Sequence, residues 1–379
     1  MPQVHANGLD IEYESFGPES AETIILIMGL GAQLTQWPLE LCHALVAQGY
    51  RVIRFDNRDA GLSSRIERDR AFAFSDAFFA LASGKASLAV YSLTDMAADT
   101  IGLMDALGID KAHIVGASMG GMIAQHIAAE YPERCLSLTS IMSSSGNPML
   151  PPPKARVLGL FMPQATGGRD QQAVVEQGIK TYETIGSPGF PTDQKTLREW
   201  CERDAARAYY PQGVMRQMAA VLSDGDRRSL LRQITVPTVV LHGRDDPVVP
   251  VAAGEDTAAN IPGAELRVIN GMGHDMPLAL VDQIADAIVS AAVRATGEQL
   301  VESAEPDMAP DSDTPSAPEP VMAIPDVAVP FVPTPVVQSG LVVSEKPGSL
   351  KRFRDWCVSQ GQKLGWNPDP TNGTGPASD

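Results

Sequence analysis

Lys111 to Ala128 reads KAHIVGASMGGMIAQHIA. A short run, His113 to Val115, meets one serine hemmed in by Gly116, Ala117, Gly120 and Gly121, and the spacing then becomes helical at Met122, Ile123 and Ile127. This change of period predicts a strand that turns directly into a helix with Ser118 at the apex. Gly116 to Gly120, GASMG, has the G-x-S-x-G form, in which the serine takes a strained backbone conformation and presents its hydroxyl above a sheet. Side chains at Gly116 and Gly120 would collide with neighbouring backbone, so both glycines have a steric cause. Glycine and serine are common residues. The pattern gains its weight from the strand before it and the helix after it.

Outward from this turn, Val4 to Glu298 reads as strands alternating with helices. Ile11 to Phe16 alternates like a strand, and Thr23 to Met28, TIILIM, is the continuous apolar run of a buried one. Leu39 to Gln48 is helical in pattern, and Arg51 to Asp56, RVIRFD, is the next strand. An irregular stretch from Ile66 to Val90 precedes a helix whose Leu93, Met96, Ala97, Thr100, Leu103 and Met104 recur at three- and four-residue spacing. Beyond Ala128, CLSLTSIM, TVPTVVLHG and AELRVIN supply three further strands. This order predicts an α/β fold with a mainly parallel central sheet flanked by helices.

The rhythm breaks between Asn147 and Tyr210, where helical patches occur and no strand does. The expected organisation is a core in two parts, 1–146 and 211–297, interrupted by a helical cap at 147–210. The cap's Leu150, Phe161, Met162, Tyr182, Phe190, Trp200, Tyr209 and Tyr210 can line a pocket or form its own small core, and the second use accounts for most of them. From Glu298 to Glu345 there is no Lys or Arg and prolines recur, so 298–379 is expected to be a disordered acidic, proline-rich tail. A short segment near 349–364 places Leu350, Phe353, Trp356, Cys357 and Leu364 among basic residues. It reads either as a docking helix for a protein partner or as a marginal helix with no role.

A serine hydroxyl is a poor nucleophile until a base takes its proton, and the base needs an acid to fix its tautomer. Of six histidines, His5 is near the terminus, His43 and His126 fall in helices, His113 opens the elbow strand and His242 ends another. His274 differs, because NGMGHDMP is a glycine-bracketed loop just after the last strand. The turn after TVVLHG, GRDDP, carries two aspartates; Asp246 is the preferred acid and Asp245 its rival. Asp275 adjoins His274 in sequence, and neighbouring loop residues usually point apart, so it reads as structural. An oxyanion would be met by backbone N–H groups: Met119, at a helix N-terminus, and Leu30, in the loop after TIILIM.

The formal net charge of -17 over 379 residues excludes nucleic acid and anionic membrane surfaces as expected partners. Four scattered cysteines show no metal-ligand spacing, so no metal and no disulfide framework is expected. No apolar run reaches the roughly 18 residues of a membrane span, and no signal-peptide pattern opens the chain, which predicts a cytoplasmic protein without cofactors.

Taken together, GASMG, GRDDPVVP and GMGHDMP from Val4 to about Ala295 resemble an α/β-hydrolase with a helical cap. Within that superfamily, IMGLGAQLTQWP, VIRFDNRDAGLSS and GMGHDMP most resemble the small esterases related to aclacinomycin methylesterase. The resemblance implies a triad of Ser118, Asp246 and His274, an oxyanion hole from Leu30 and Met119, and hydrolysis of a small-molecule carboxylic ester such as a methyl ester. Two departures stand out: Met28 precedes Gly29 where the family commonly has His-Gly, and Asp59 replaces the usual glycine, leaving Arg58 as a loop brace. The same triad would also serve carbon–carbon bond hydrolysis or perhydrolysis, and a non-catalytic binding protein of the same fold is a further reading.

Overall fold

The computed structural model describes residues 2–66, 89–158, 160 and 170–297. The tail expected at 298–379, its segment near 349–364, most of the irregular stretch at 66–90, and Phe161 and Met162 of the cap lie outside the described residues.

Eight strands form one sheet: β1 (Gln3–Ala6), β2 (Leu9–Phe16), β3 (Thr23–Ile27), β4 (Arg51–Phe55), β5 (Ala112–Ala117), β6 (Cys135–Ile141), β7 (Thr238–Gly243) and β8 (Glu265–Ile269). Their order is β1-β2-β4-β3-β5-β6-β7-β8, antiparallel through β1, β2 and β4 and parallel from β4 to β8. The alternating pattern places the first strand at Ile11. The structure adds β1 and starts β2 at Leu9, because Asn7 and Gly8, both at positive φ, close a two-residue hairpin. β1 is short and mostly exposed, so it carried no apolar pattern to read.

The principal helices are α1 (Leu39–Ala47), α2 (Leu93–Ala106), α3 (Met119–Glu130), α4 (Gln171–Ile185), α5 (Gln194–Arg207), α6 (Pro211–Asp224), α7 (Val251–Asn260) and α8 (Val281–Thr296). Successive residues of β3 face opposite ways. Ile25 and Ile27 pack with α2 and α3 in one core layer, while Ile24 and Leu26 pack with α1 and α8 in the other. Both faces of the sheet are therefore covered, which is why every residue of β3, β4 and β5 is buried, Arg51, Arg54 and His113 included. The chain leaves β3 towards β4 on one side, and β5 lies on the other. This reversal opens a crevice beyond the carboxyl ends of β3 and β5, where ligands of open α/β sheets bind. Among the described residues no helix is long and apolar enough to cross a membrane.

His126 ties α3 to the end of α6. It is 6% exposed, and its two ring nitrogens lie 2.9 Å from Asp224 Oδ1 and 2.9 Å from Glu130 Oε1. Burial alone would lower its pKa, but the Asp224 and Glu130 carboxylates outweigh that penalty and raise it above the ordinary 6.5. A raised folded-state pKa contributes stability that is complete below the unfolded value and fades as pH rises through the folded one. His126→Gln should therefore cost roughly 2 kcal/mol of unfolding free energy at pH 6 and clearly less at pH 9, as read by urea denaturation. An equal cost at both pH values would contradict the clamp.

Candidate active site

β5 enters the crevice fully buried and ends at Ala117; Ser118 then takes φ 56° and ψ -119° before α3 begins at Met119. A non-glycine residue at such a φ is strained, and the surrounding contacts hold it there. Ser118 N–H donates to Ile141 O at 2.9 Å, and Gly121 N–H donates to Ser118 O at 3.0 Å. A Cβ on Gly116 would lie 2.1 Å from Gly120 O, and one on Gly120 would lie 2.0 Å from Ile27 O. Only hydrogen at both positions lets α3 descend onto β3 and β5, as the collision argument from the sequence required.

His274 stands in the loop between β8 and α8. Its Nε2 is 3.0 Å from Ser118 Oγ and its Nδ1 is 2.6 Å from Asp246 Oδ2. A carboxylate only accepts, so Nδ1 carries the hydrogen and Nε2 offers its lone pair to the serine hydroxyl. Asp246, in the turn after β7, is 1% exposed, and its other oxygen accepts the N–H groups of Val248 and Val249 at 2.8 Å each. Asp245 instead accepts Gly271 N–H at 2.9 Å, bracing the turn against the histidine loop. The structure thus brings Asp246, and not Asp245, to His274.

Two further groups support these loops. His242 is buried behind Asp246 and its Nε2–H donates to Val249 O at 2.8 Å. Burial pushes its pKa down, so a neutral imidazole backs the acid. Asp275 accepts the Ser187 hydroxyl at 2.5 Å, and the same oxygen of Ser187 accepts Gly273 N–H at 2.9 Å. Burial raises the Asp275 pKa to about 6. Its carboxyl thus fastens the histidine loop to the segment after α4, and His274 N–H donates to Ile185 O, at the end of that helix, at 2.8 Å.

The loop carrying Leu30 runs directly against the elbow: a Cβ on Gly29 would lie 3.1 Å from Ser118 Cβ. Met119 opens α3, where the unpaired N–H groups and the helix dipole favour negative charge. The carbonyl of Met28 accepts Asn57 Nδ2 at 2.9 Å, so Asn57 holds this loop in a sequence lacking the histidine commonly found at position 28. Arg58 turns away to Asp99, at 2.5 and 2.6 Å, and to Asp95 O; it is a brace. Asp59, at φ 66°, accepts both arms of Arg216 at 2.8 Å and the Tyr91 hydroxyl at 2.8 Å. These bonds hold an aspartate in a left-handed conformation that glycine would adopt without strain.

Of the aromatics in 147–210, Tyr182 and Trp200 pack on each other, while Tyr210 reaches α6. α4 and α5 enclose Val175, Ile179 and Cys201, with Tyr182 and Trp200 edge to face at 5.9 Å, and the Tyr210 hydroxyl accepts from Arg216. Nothing local in the sequence marked Ser187 or Arg216, whose partners Asp275 and Asp59 lie 88 and 157 residues away along the chain. One signal was present for Gln217: it falls on the stripe Gly213, Gln217, Ala220 of α6, a polar residue at core spacing. Among the described residues no group of three or more His, Cys, Asp or Glu side chains is arranged to hold a metal ion.

The arrangement can pass a proton from Ser118 to His274 and hold the resulting imidazolium against a buried carboxylate. Known hydrolases are similar to this chain in sequence and in fold. The chain is 28% identical over 293 residues to a rhodomycin D methylesterase of Streptomyces peucetius, covering 73% of this chain and 92% of that protein. It is 32% identical over 180 residues to a 2-hydroxy-6-oxo-6-phenylhexa-2,4-dienoate hydrolase of Burkholderia cepacia, covering 46% of this chain and 59% of that one. Its fold matches the solved structure of a meta-cleavage product hydrolase from Pseudomonas fluorescens with a TM-score of 0.60 at 21% identity, over 78% of this chain and 98% of the other. The family model for the alpha/beta hydrolase fold matches residues 22–278, from just before β3 to just before α8, and with the sheet order and the elbow in view the chain belongs to the α/β-hydrolase family.

Proposed function

We propose that this protein is a serine hydrolase that cleaves a carboxylic ester of a small hydrophobic molecule through an acyl-enzyme. The observation that carries the reading is the continuous relay from Asp246 through His274 to Ser118, at the apex of the elbow. Ser118 Oγ attacks the ester carbonyl as His274 Nε2 takes its proton, and the carbonyl oxygen becomes an oxyanion met by the Leu30 and Met119 N–H groups. Asp246 keeps the imidazole in the required tautomer. The tetrahedral species collapses by expelling the alkoxide, which receives the proton from His274. Water, deprotonated by the same nitrogen, then attacks the acyl-enzyme and releases the carboxylic acid.

The similarity to a methylesterase supports a methyl ester as the first substrate to assay. A second reading, hydrolysis of a carbon–carbon bond in a diketone, is favoured by the 32% identity to the dienoate hydrolase and would use the same relay. Comparing turnover of an aryl or methyl ester with that of a vinylogous diketone separates the two.

Ser118→Ala should abolish ester turnover while leaving the circular dichroism spectrum unchanged; residual activity near that of the wild type would sink the assignment. Asp246→Asn should lower kcat by about 10⁴-fold by presenting the wrong tautomer, whereas Asp245→Asn, whose amide oxygen can still accept the Gly271 N–H, should stay within about tenfold of wild type. Steady-state kinetics of the two variants side by side decide which aspartate acts.

A further inference from the structure

Gln217 is fully buried on α6, yet its amide is satisfied at both ends by loops beside the elbow. Its Oε1 accepts the Gly31 N–H at 2.7 Å and its Nε2 donates to Arg58 O at 2.8 Å. Gly31 follows Leu30 directly and sits at φ 67°, and a Cβ placed there would meet Val214, also of α6, at 2.8 Å. The loop and the helix are therefore in direct contact, backbone against side chain.

Two peptide planes define how Leu30 is presented. The Gly29–Leu30 peptide carries the Leu30 N–H, and its carbonyl, Gly29 O, accepts Ala32 N–H at 3.3 Å. The next plane, Leu30–Gly31, carries the N–H that Gln217 accepts. With both planes held, the Leu30 dihedrals between them have little freedom. Farther along the loop, Gln33 Nε2 donates to Asp204 O and Ala208 O at 2.7 and 3.1 Å, and Thr35 Oγ1 donates to Asp204 Oδ1 at 2.7 Å. α6 is itself anchored next to Gln217 by the paired bonds from Arg216 to Asp59. Of these side-chain ties, the Gly31 bond is the one nearest to the donor.

We infer that Gln217 is a positioning residue for the oxyanion hole: its buried amide fixes the peptide that follows the Leu30 donor and couples the hole's geometry to α6. The inference rests on the ester-hydrolase reading with Leu30 as donor. Gln217 touches no substrate in this scheme. It acts through Gly31, so its removal weakens the transition state and not the ground state.

The test compares wild type, Gln217→Leu and Gln217→Glu, using an aryl ester and an aryl trifluoromethyl ketone, which adds Ser118 Oγ to give an oxyanion in the same hole. Gln217→Leu removes both bonds at nearly constant volume; kcat should fall by about 10- to 100-fold, KM should change by less than about threefold, and ketone affinity should fall in step with kcat. Gln217→Glu should restore most of kcat, because a buried carboxyl is held neutral and can still accept from Gly31 and donate to Arg58 O. A leucine variant with kcat within twofold of wild type, or with kcat lowered but ketone affinity unchanged, would overturn the role. Should that variant not fold, amide hydrogen exchange in the wild type decides: strong protection at Gly31 supports the bond, and exchange at the unprotected rate overturns it. A folded wild type that turns over neither ester nor diketone and takes no fluorophosphonate on Ser118 would overturn the hydrolase reading, and this role with it, while leaving the Gly31 exchange measurement intact.

Discussion

The site depends on one close approach, that of α3 to β3 and β5. The contact is backbone to backbone at Gly116, Gly120 and Ile27 O, and Ser118 sits between the two elements at a strained φ of 56°. With the helix raised by even one methyl group, the serine would leave the carboxyl edge of the sheet and the N-terminus of α3 would no longer lie beneath its hydroxyl. The strain at a non-glycine φ of 56° costs on the order of 1–3 kcal/mol, which the two buried core layers on either side of the sheet are large enough to offset.

Around that fixed point the other elements arrive as loops, and each loop is held by buried polar contacts. The turn with Asp246 is closed on its own Val248 and Val249 N–H groups and backed by neutral His242. The histidine loop is fastened to the end of α4 through Ile185 and to the segment after it through Ser187. The loop with Leu30 is tied to Asn57 and to α6. Buried polar groups are costly unless satisfied, and satisfied networks rigidify. The loops at this edge are consequently set in advance of any substrate, which is the condition for electrostatic stabilisation of a transition state without reorganisation.

How much of this was legible in the sequence follows from the range of each interaction. β3 to β7 and α2 were readable because burial on both faces imposes runs or periods within a dozen residues. Ser118 was readable from the glycines that its turn requires, and His274 and Asp246 drew attention because polar residues in short turns after buried strands have few other uses at that edge. The hairpin strand β1 was not readable, being short and exposed. Nor were the pairing of Asp59 with Arg216 or the grip of Gln217 on Gly31, since partners 157 and 186 residues apart leave no local pattern. Asp59 was noticed as a departure from the usual glycine; the compensation lay in a helix whose relation to that turn only the folded chain reveals.

The central claim is that the relay activates Ser118 as a nucleophile. Intact-mass measurement after treatment with a fluorophosphonate, on wild type and Ser118→Ala, addresses it most directly. One adduct on the wild type and none on the variant is the result expected from an imidazole lone pair facing the hydroxyl beside oxyanion donors. No adduct on well-folded wild type, or an adduct that persists in Ser118→Ala, would contradict the account.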